Sequence, residues 1–353
     1  MAAETTVAVL AEGEYGAWNR MVAESPDGGI YNTPEYLDVL CAAAGGRFRI
    51  VAARRGEELA GGVALYERDT AFVTYVSPRL LLYYNGLVLR RYDTKYPSER
   101  TSRHLKALAG LEAFLADAGY GHVMLKSCGG VTDVRPFVEA GWTARPSYSY
   151  VVPLRDLPGQ WARVEQNLRR LVERCAGSGI TVSDDDDFTT FYRLHTTMLE
   201  RRDVGAYLPA AAFEQYFRRL KAQGLCRLFH ARLPEGGRPI ATQLVLLGAH
   251  PVSHTVSAAA DPEFAKLGVS AFLRWKVFEI LAGLGSTGND LTDAALNPVT
   301  HFKSQLGGDL ELSLVLESRP TLAYGAGTGA GRLLRRVRGA AGGLVRRVLR
   351  RPA

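Results

Sequence analysis

Residues 289–308 read NDLTDAALNPVTHFKSQLGG, and this stretch decides how the rest of the chain is interpreted. It predicts a short strand, then a short helix opened by Asn297 and Pro298, and then a closing strand after a pair of glycines. Lys303 falls on that helix, beside Phe302. A cation held there next to an acyl oxygen stabilises the oxyanion of acyl transfer. The alternative is a solvated lysine next to a core phenylalanine.

Strands and helices alternate on both sides of this stretch. The predicted strands cover residues 47–53, 58–66, 122–126, 148–154, 180–183, 225–233, 239–248, 252–259, 290–292 and 310–317. The predicted helices cover residues 101–118, 136–140, 161–175, 187–201, 210–222, 269–284 and 298–306. Hydrophobic periodicity carries these assignments. The sequence therefore predicts a mixed-sheet α/β fold of two similar units, residues 1–147 and 148–318, followed by a basic tail at 319–353.

The totals exclude several classes of protein. A length of 353 residues is too long for one ordinary domain and suits two. A hydrophobic fraction of 47% with 22% charged residues excludes a wholly disordered chain. The four cysteines are far apart, which excludes a zinc ribbon or a C-x-x-C redox motif. Because the first residues lack a signal peptide's basic region and no stretch suits a transmembrane helix, we expect a cytoplasmic protein. We also expect no metal centre.

The net charge of +7 belongs to the end of the chain. Of the 43 Lys and Arg residues, eight are arginines between residues 321 and 353, and the rest of the chain has 35 basic against 36 acidic residues. Residues 324–331 predict a flexible linker, and the Arg, Leu and Val residues after it predict two short helical segments. We expect weak, salt-sensitive attraction of this tail to the anionic inner face of a membrane. A disordered solubilising tail is the alternative.

Several short motifs occur in a fixed order from residue 161 onward. They are Trp161, Leu168-Arg169-Arg170, Arg174, Gly179-Ile180, Phe191-Tyr192, His195-Thr196-Thr197, Arg201, Pro239-Ile240-Ala241, Asp290, Phe302-Lys303 and Leu306-Gly307-Gly308. This order resembles the GNAT-like acyltransferases of the Fem type, most strongly over residues 145–318 and moderately over 30–145. The resemblance implies two tandem GNAT-like domains. It also implies an acyltransferase related to the enzymes that build peptidoglycan interpeptide bridges and to a broader acetyltransferase-like branch.

The resemblance implies roles for individual residues as well. Lys303 corresponds to a lysine thought to stabilise the acyl-transfer intermediate, with Phe302 as its neighbour. The other corresponding positions are a phosphate-contacting basic helix at Arg169 or Arg170, the acidic residue that begins the last motif at Asp290, and an arginine after the Phe-Tyr helix at Arg201 or Arg202. The chain lacks the long helical hairpin that some bridge-forming enzymes insert. Recognition of charged tRNA is therefore the less favoured alternative.

Arginines on the predicted amphipathic helix at 161–175 suit an anionic substrate. Spacings of seven and four residues place Arg163, Arg170 and Arg174 in one sector of that helix, with Arg169 beside them. The guanidinium fork donates paired hydrogen bonds to phosphate oxygens. The alternative is the solvated face of a surface helix.

Two further sites are candidates for binding. Backbone N–H groups at a helix N-terminus hold the pyrophosphate of coenzyme A in GNAT folds, and Gly268, Val269 and Ser270 open the predicted helix at 269–284. An ordinary N-cap turn is the alternative there. Tyr84 is a candidate for lining a substrate cleft, with a plain turn as the alternative.

Other polar residues predict structure rather than chemistry. The acidic run at 184–187 precedes a helix and is expected to complement its dipole rather than bind a metal. His230 and His254 lie in strand patterns and are expected to be satisfied core histidines.

These observations lead to the hypothesis of a cytosolic N-acyltransferase. It would move an acyl group from acyl-CoA, for example acetyl-CoA, to an amine of a small molecule or of a cell-envelope precursor, with Lys303 at the oxyanion. Two alternatives stay open: an aminoacyl-tRNA-dependent transferase of the peptidoglycan-bridge type, and a binding protein that kept the scaffold and lost catalysis. The near-neutral body argues against extensive tRNA contact, because neutralising phosphates needs many Lys and Arg residues.

Overall fold

The computed structural model describes residues 4–79 and 81–329, and within them thirteen strands form one mixed sheet against which helices pack. The strands are β1 Thr5–Val9, β2 Arg47–Arg55, β3 Glu58–Asp69, β4 Thr74–Val76, β5 Leu87–Leu89, β6 His122–Lys126, β7 Thr143–Pro153, β8 Thr181–Asp184, β9 Cys226–Arg232, β10 Pro239–Leu246, β11 Val252–Ala260, β12 Gly288–Asp290 and β13 Asp309–Glu317. The α-helices are α1 Tyr15–Glu24, α2 Pro34–Ala44, α3 Pro97–Asp117, α4 Arg135–Glu139, α5 Leu157–Arg163, α6 Gln166–Gly177, α7 Phe188–Glu200, α8 Ala210–Ala222, α9 Val269–Gly283 and α10 Pro298–Ser304. The predicted mixed α/β fold is confirmed.

The sheet joins both halves of the chain. Its strand order is β1-β2-β3-β4-β6-β13-β7-β12-β11-β10-β9-β8, and β5 pairs with β3. Neighbouring strands are antiparallel except for β4 with β6 and β11 with β12, which are parallel. Each parallel pair lies next to one of the two central strands, β13 and β7.

The order of elements repeats along the chain. A strand, two helices and a hairpin open each half, as β1-α1-α2-β2-β3 and as β8-α7-α8-β9-β10, and each half closes with helix, strand, helix, strand. The closing strands are exchanged, because β7 of the first half pairs with β12 and β13 of the second half pairs with β6. The predicted boundary at 147/148 falls inside β7, which continues from Thr143 to Pro153 between its two partners. In chain order, α5 and α6 lie between the two sets of elements.

The predicted helix at 161–175 is in fact two helices. α5 ends at Arg163, and Val164 has an extended backbone with ψ of 135°. The backbone N–H of Glu165 then donates to the carbonyl of Gln305 at 3.0 Å, so the chain is held beside the segment that follows α10. The apolar spacing continues through Val164, which is buried. Periodicity alone therefore did not show the break.

This break separates the arginines that the sequence placed in one sector. Arg163 belongs to α5 and forms a two-pronged ion pair with Asp309 at the start of β13. Arg170 and Arg174 belong to α6 and are exposed. The prediction of a single three-arginine sector is wrong.

The segment after β13 is ordered in its first part. Residues 322–329 are helical, where the sequence predicted a flexible linker at 324–331. The ring of Tyr324 stacks on His122 at 4.8 Å between centroids and also contacts Tyr75, which fixes this helix against β4 and β6. The arginine-rich segments from residue 330 onward lie outside the described residues.

α9 is a buried helix that contributes to the candidate functional site. Its apolar residues surround the helix axis instead of forming one stripe, because the sheet packs on one side and α6 on the other. Gly268, the N-cap of α9, has φ of 84°, and a Cβ there would lie 2.7 Å from the Cβ of Leu171 on α6. The close approach of the two helices therefore requires glycine.

The acidic run at 184–187 has the structural role that the sequence predicted. Asp187 caps α7 by accepting from the Thr190 N–H at 3.0 Å. The preceding acids pair with basic side chains, Asp184 with Arg227 and Asp185 with Arg232. In the part of the chain that the structure describes, no helix has both the length and the apolar character needed to cross a bilayer.

Candidate functional site

A cleft opens where two parallel strands part. β11 and β12 are paired only over three residues each, Val252–His254 with 288–290. β12 ends there, while β11 continues to Ala260, and a cleft of about 530 Å³ lies beyond the point of separation. We call it the lysine cleft. The side chains that line it include Tyr83, Arg202, Ser257, Arg274, Asn297 and Lys303.

Lys303 is held in this cleft by backbone carbonyls. Asn297 caps α10 by accepting from the N–H groups of Val299 and Thr300, which sets the helix that presents the lysine. The Nζ of Lys303 donates to the carbonyl of Thr292 and, at 2.6 Å, to that of Asp293. One of its three N–H groups is left to donate to a substrate. The alternative of a solvated lysine is wrong.

The two carbonyls come from an unusual stretch of backbone. Thr292 and Asp293 have φ of 50° and 52°, the left-handed region that residues other than glycine seldom adopt. Two consecutive residues of this kind cost on the order of 2–6 kcal/mol together, and such conformations cluster at functional sites. The strained turn points both carbonyls at one lysine.

The surroundings of Lys303 make its proton easier to remove. Burial is the main cause, and the Arg274 guanidinium adds to it, so the pKa of Lys303 falls to about 8. The carboxylates of Asp293 and Asp290 act in the opposite direction. Below that pH the side chain remains an ammonium ion, which is the form that stabilises an oxyanion.

Arg274 is a residue that the sequence analysis missed. It projects from α9 into the lysine cleft, and its Nη1 is buried without a hydrogen-bond partner among the described residues. Burial lowers the pKa of its guanidinium to about 10. The available signal was an arginine directly between the apolar residues Leu273 and Trp275 of a buried helix. With Arg202 and Lys303 it gives the cleft three cations against the carboxylate of Asp293.

Asp290 lies behind the strained turn and supports it. The carboxylate is buried and accepts from the Thr292 N–H at 2.7 Å, from the Tyr84 hydroxyl at 2.7 Å and from the Ser149 hydroxyl. Burial acts to raise the pKa of Asp290. Attraction from His254 and the hydrogen bonds from the two hydroxyls outweigh burial, so the pKa is lowered. The structure thus brings together two predicted residues, Asp290 and Tyr84, on the far side of the turn from Lys303.

Tyr83, the neighbour of Tyr84 in the sequence, lines the lysine cleft. Tyr83 faces that cleft and donates to the carbonyl of Val256 at 3.3 Å, whereas Tyr84 faces a smaller cavity beyond Asp290. Two neighbouring arginines just after α7 differ in the same way. Arg202 lines the cleft, whereas the exposed Arg201 does not.

Other predicted site residues lie away from the cleft. Phe302 is partly buried and packs on the core of the second half, and it is not among the residues that line the lysine cleft. Arg169 is half-buried on α6, with an Nε that has no hydrogen-bond partner among the described residues, and its neighbour Arg170 is exposed. At the start of α9, Gly268 and Val269 are buried and Ser270 is exposed, and none of the three lines the lysine cleft.

Sequence patterns also do not show the serine–histidine pair in this cleft. The hydroxyl of Ser257 lies 2.8 Å from Nδ1 of His195, whose ring stacks on Phe191. Burial lowers the pKa of His195 to about 4, which makes it a weak base. Because Nε2 has no partner among the described residues, nothing orients the ring as a carboxylate does in a Ser-His-Asp triad.

The sequence of the second half matches a known domain. The family described as "Acetyltransferase (GNAT) domain" matches residues 162–304, a range that contains the strand divergence, Arg274 and Lys303. Residues 162–304 therefore form a domain of the GNAT acetyltransferase type. Among curated proteins, no sequence matches it.

Solved structures share the fold of this protein over nearly the whole described chain. FemX superposes with a TM-score of 0.68 at 14% identity, covering 87% of this chain and 96% of that one. The C-terminal domain of a putative lysylphosphatidylglycerol synthetase from Agrobacterium fabrum superposes at 0.57 and 12% identity, covering 92% and 98%. A tandem GNAT protein from the clavulanic acid biosynthesis pathway superposes at 0.51 and 11% identity, covering 89% and 98%. The described chain therefore shares its fold with FemX and with a tandem GNAT protein.

Proposed function

We propose that this protein is an N-acyltransferase that works in the lysine cleft, with Lys303 stabilising the oxyanion. The observation that carries the proposal is the position of Nζ, which two carbonyls from a strained turn hold in the lysine cleft. The same cleft contains a guanidinium nitrogen of Arg274 that has no hydrogen-bond partner in the described part of the chain. A lysine that served only solubility would not be fixed in this way.

The reaction needs alignment and one well-placed cation. A neutral amine attacks the acyl carbon, the C–N bond forms, and the negative charge moves to the acyl oxygen, where the remaining N–H of Lys303 donates. The C–S bond of a thioester donor, or the C–O bond of an ester donor, then breaks, and the proton lost by the amine balances the charge of the leaving group. Much of the rate can come from holding donor and acceptor together.

The donor that we propose is acyl-CoA. GNAT domains generally use acyl-CoA, and the cations Arg202, Arg274 and Lys303 suit its phosphates. Transfer from an aminoacyl ester is the second candidate. It is favoured by the fold shared with FemX and with the domain named as a putative lysylphosphatidylglycerol synthetase, and it would direct the acyl group to a cell-envelope component.

One substitution tests this function. We expect Lys303→Ala to lower kcat by about 10²–10³, the usual effect of removing one oxyanion donor, with little change in the KM of the donor. The assay follows transfer from labelled acetyl-CoA, and in parallel from charged tRNA, to a panel of amines. Lys276→Ala is the matched control, since Lys276 lies on the outer face of α9 and pairs with Glu279 at 2.7 Å. Unchanged turnover in folded Lys303→Ala would contradict the role.

A further inference from the structure

A second, smaller cavity lies directly behind the lysine cleft. Its volume is about 140 Å³, and we call it the His254 cavity. Three pairs of consecutive residues form the wall between the two spaces: Tyr84, His254 and Asp290 face the His254 cavity, and Tyr83, Thr255 and Leu291 face the lysine cleft. Since the side chains of a strand alternate between its faces, the two spaces lie on opposite sides of the sheet at the point where β11 and β12 part.

The His254 cavity has an acidic lining. The carboxylates of Asp290 and Glu311 face it, and burial together with Asp290 raises the pKa of Glu311. Lys126 is the opposing cation nearby, held 5.4 Å above the ring of Tyr84. Burial first, and then His254, lower the pKa of His250 to about 4, so that this ring contributes no charge at neutral pH. A cation that entered would relieve the repulsion between the two carboxylates.

His254 is the unsatisfied group in this cavity. Only 2% of the residue is exposed, and its Nε2 has no hydrogen-bond partner among the described residues. Its Nδ1 also has no hydrogen-bond partner among the described residues, but it lies 3.4 Å from Oδ2 of Asp290, a contact that becomes an ion pair when the ring is protonated. His254 is a core histidine, as expected, but its ring nitrogens have no hydrogen-bond partner among the described residues. A buried polar atom without a partner in a polar cavity indicates a ligand that supplies one.

The cavity adjoins a larger cleft in the first half. Pro26 and His250 line both the His254 cavity and a cleft of about 570 Å³. That outer cleft also contains Asp27, whose pKa burial raises to about 6 and whose Oδ1 is buried without a partner among the described residues. A molecule can thus approach the sheet from this side while a donor occupies the other.

We propose that the His254 cavity receives the primary ammonium group of the acceptor and that Nε2 of His254 takes its proton. The proposal rests on the function proposed above and adds to it the acceptor class, its route and its base. The ammonium N–H breaks, the N–H bond of the imidazolium forms, and Asp290 stabilises the imidazolium. The amine that results attacks the acyl carbon of the thioester or ester donor, whose acyl end reaches from the lysine cleft into the gap where β11 and β12 part. The second proton of the amine goes to the departing thiolate or alkoxide, and the proton on His254 is released to water, so that charge and protons balance.

Cys128 is in the same cavity and does not provide a covalent route. Burial, followed by the charges of Asp290, Asp27 and Glu311, raises the pKa of its thiol well above the ordinary value. The thiol form is a poor nucleophile. Direct attack by the amine is therefore the step that this cavity favours.

Gly29 provides a probe that does not touch the histidine. A Cβ at Gly29 would lie 3.4 Å from Nε2 of His254, and the φ of −177° is extended backbone that any residue adopts. Gly29→Ala therefore places a methyl group over Nε2 without backbone strain. Gly248→Ala is the matched control, because its methyl would meet Ile30, the neighbour of Gly29, at an ordinary 3.5 Å.

The binding experiment titrates the full chain with ethylammonium and follows the His254 ring by NMR, with the resonance assigned by its loss in His254→Gln. We expect a saturable shift in the wild-type protein and in Gly248→Ala, and affinity weaker by about tenfold or more in Gly29→Ala. No saturable shift in the wild-type protein, or the same affinity in Gly29→Ala, would overturn the proposal.

A second measurement separates this proposal from the proposed function. With a donor that the wild-type protein turns over, we expect Gly29→Ala to keep hydrolysis of the donor to water and to lose transfer to amines. If no donor is turned over at all, the proposed function fails, whereas the titration still judges the ammonium site. If Gly29→Ala transfers to amines at the wild-type rate, the role of Nε2 is refuted while the function stands.

Discussion

At the scale of single residues, the site depends on what holds Lys303. Sequence spacing was enough to place this lysine on a short capped helix, because Asn297 and Pro298 are strong local signals. It was not enough to show the two carbonyls from Thr292 and Asp293, because residues other than glycine in the left-handed region leave no mark in a sequence pattern. Arg274 and His254 were missed or misread for a related reason, since only tertiary contacts show that a buried polar atom lacks a partner.

The pH dependence of the reaction follows from Lys303. Its pKa is lowered from 10.5 to about 8, and the protonated form is the active one. We expect kcat to fall as the pH rises through about 8, and the fall to move to higher pH in Lys303→Arg because a guanidinium keeps its proton. The measurement is kcat against pH at saturating donor and acceptor. A wild-type profile that stays flat up to pH 10 would argue against this assignment.

Replacing Arg274 is expected to change both the KM of the donor and the pKa of Lys303. We expect Arg274→Met to raise the KM of the donor by about tenfold, the scale of one charge-assisted hydrogen bond. It also raises the pKa of Lys303, because Arg274 is the second cause of its lowering after burial. Donor titrations and the pH profile of kcat check these effects. Arg218→Met, which removes an exposed arginine paired with Glu214, is expected to change neither quantity.

At the scale of elements, the alternation of strands and helices was predictable over most of the chain. The first strand and the first two helices were not predicted, because α1 buries only three residues and α2 has no clear apolar stripe. The break between α5 and α6 was also missed, since Val164 continues the apolar spacing and the backbone bond to Gln305 is a long-range contact. Patterns predict the elements well where one face is apolar, and they fail where tertiary contacts decide the boundary.

The contact between α6 and α9 depends on one glycine. We expect Gly268→Ala to destabilise the protein by about 1–3 kcal/mol, because of its φ of 84° and the Cβ of Leu171 at 2.7 Å. Gly283→Ala in the same helix has open space around its Cβ and is expected to be neutral or stabilising. Urea unfolding of both variants measures the difference. Equal stability of Gly268→Ala and wild type would show that the helices do not approach as described.

At the scale of the whole molecule, charge and topology have separate consequences. The near-neutral body carries the lysine cleft, and the eight arginines lie in residues 332–351. The sequence alone showed this division of charge. It did not show the exchange of β7 and β13, because strand pairing between distant segments has no local signal.

The tail is expected to attract the protein to anionic membranes. Deleting residues 330–353 removes eight arginines, each worth roughly 1 kcal/mol near such a surface. We expect the full chain to co-sediment with vesicles that contain phosphatidylglycerol, less so at high salt, and the shortened chain to remain in the supernatant. Vesicles of phosphatidylcholine alone are the control. Equal sedimentation of both chains would rule out the membrane role.

The exchange of closing strands also sets the order in which the chain can fold during its synthesis. Among the strands that the structure describes, β6 obtains its second neighbour only from β13, at residues 315–317, and β7 joins the first half of the sheet only through that same strand. At ordinary rates of translation, β7 waits about 10–30 s for β13 to emerge from the ribosome. During that interval the nascent first half presents an open strand edge to its surroundings. A stalled or truncated product would therefore leave both halves incomplete, and quality control would meet an aggregation-prone chain rather than a folded single domain.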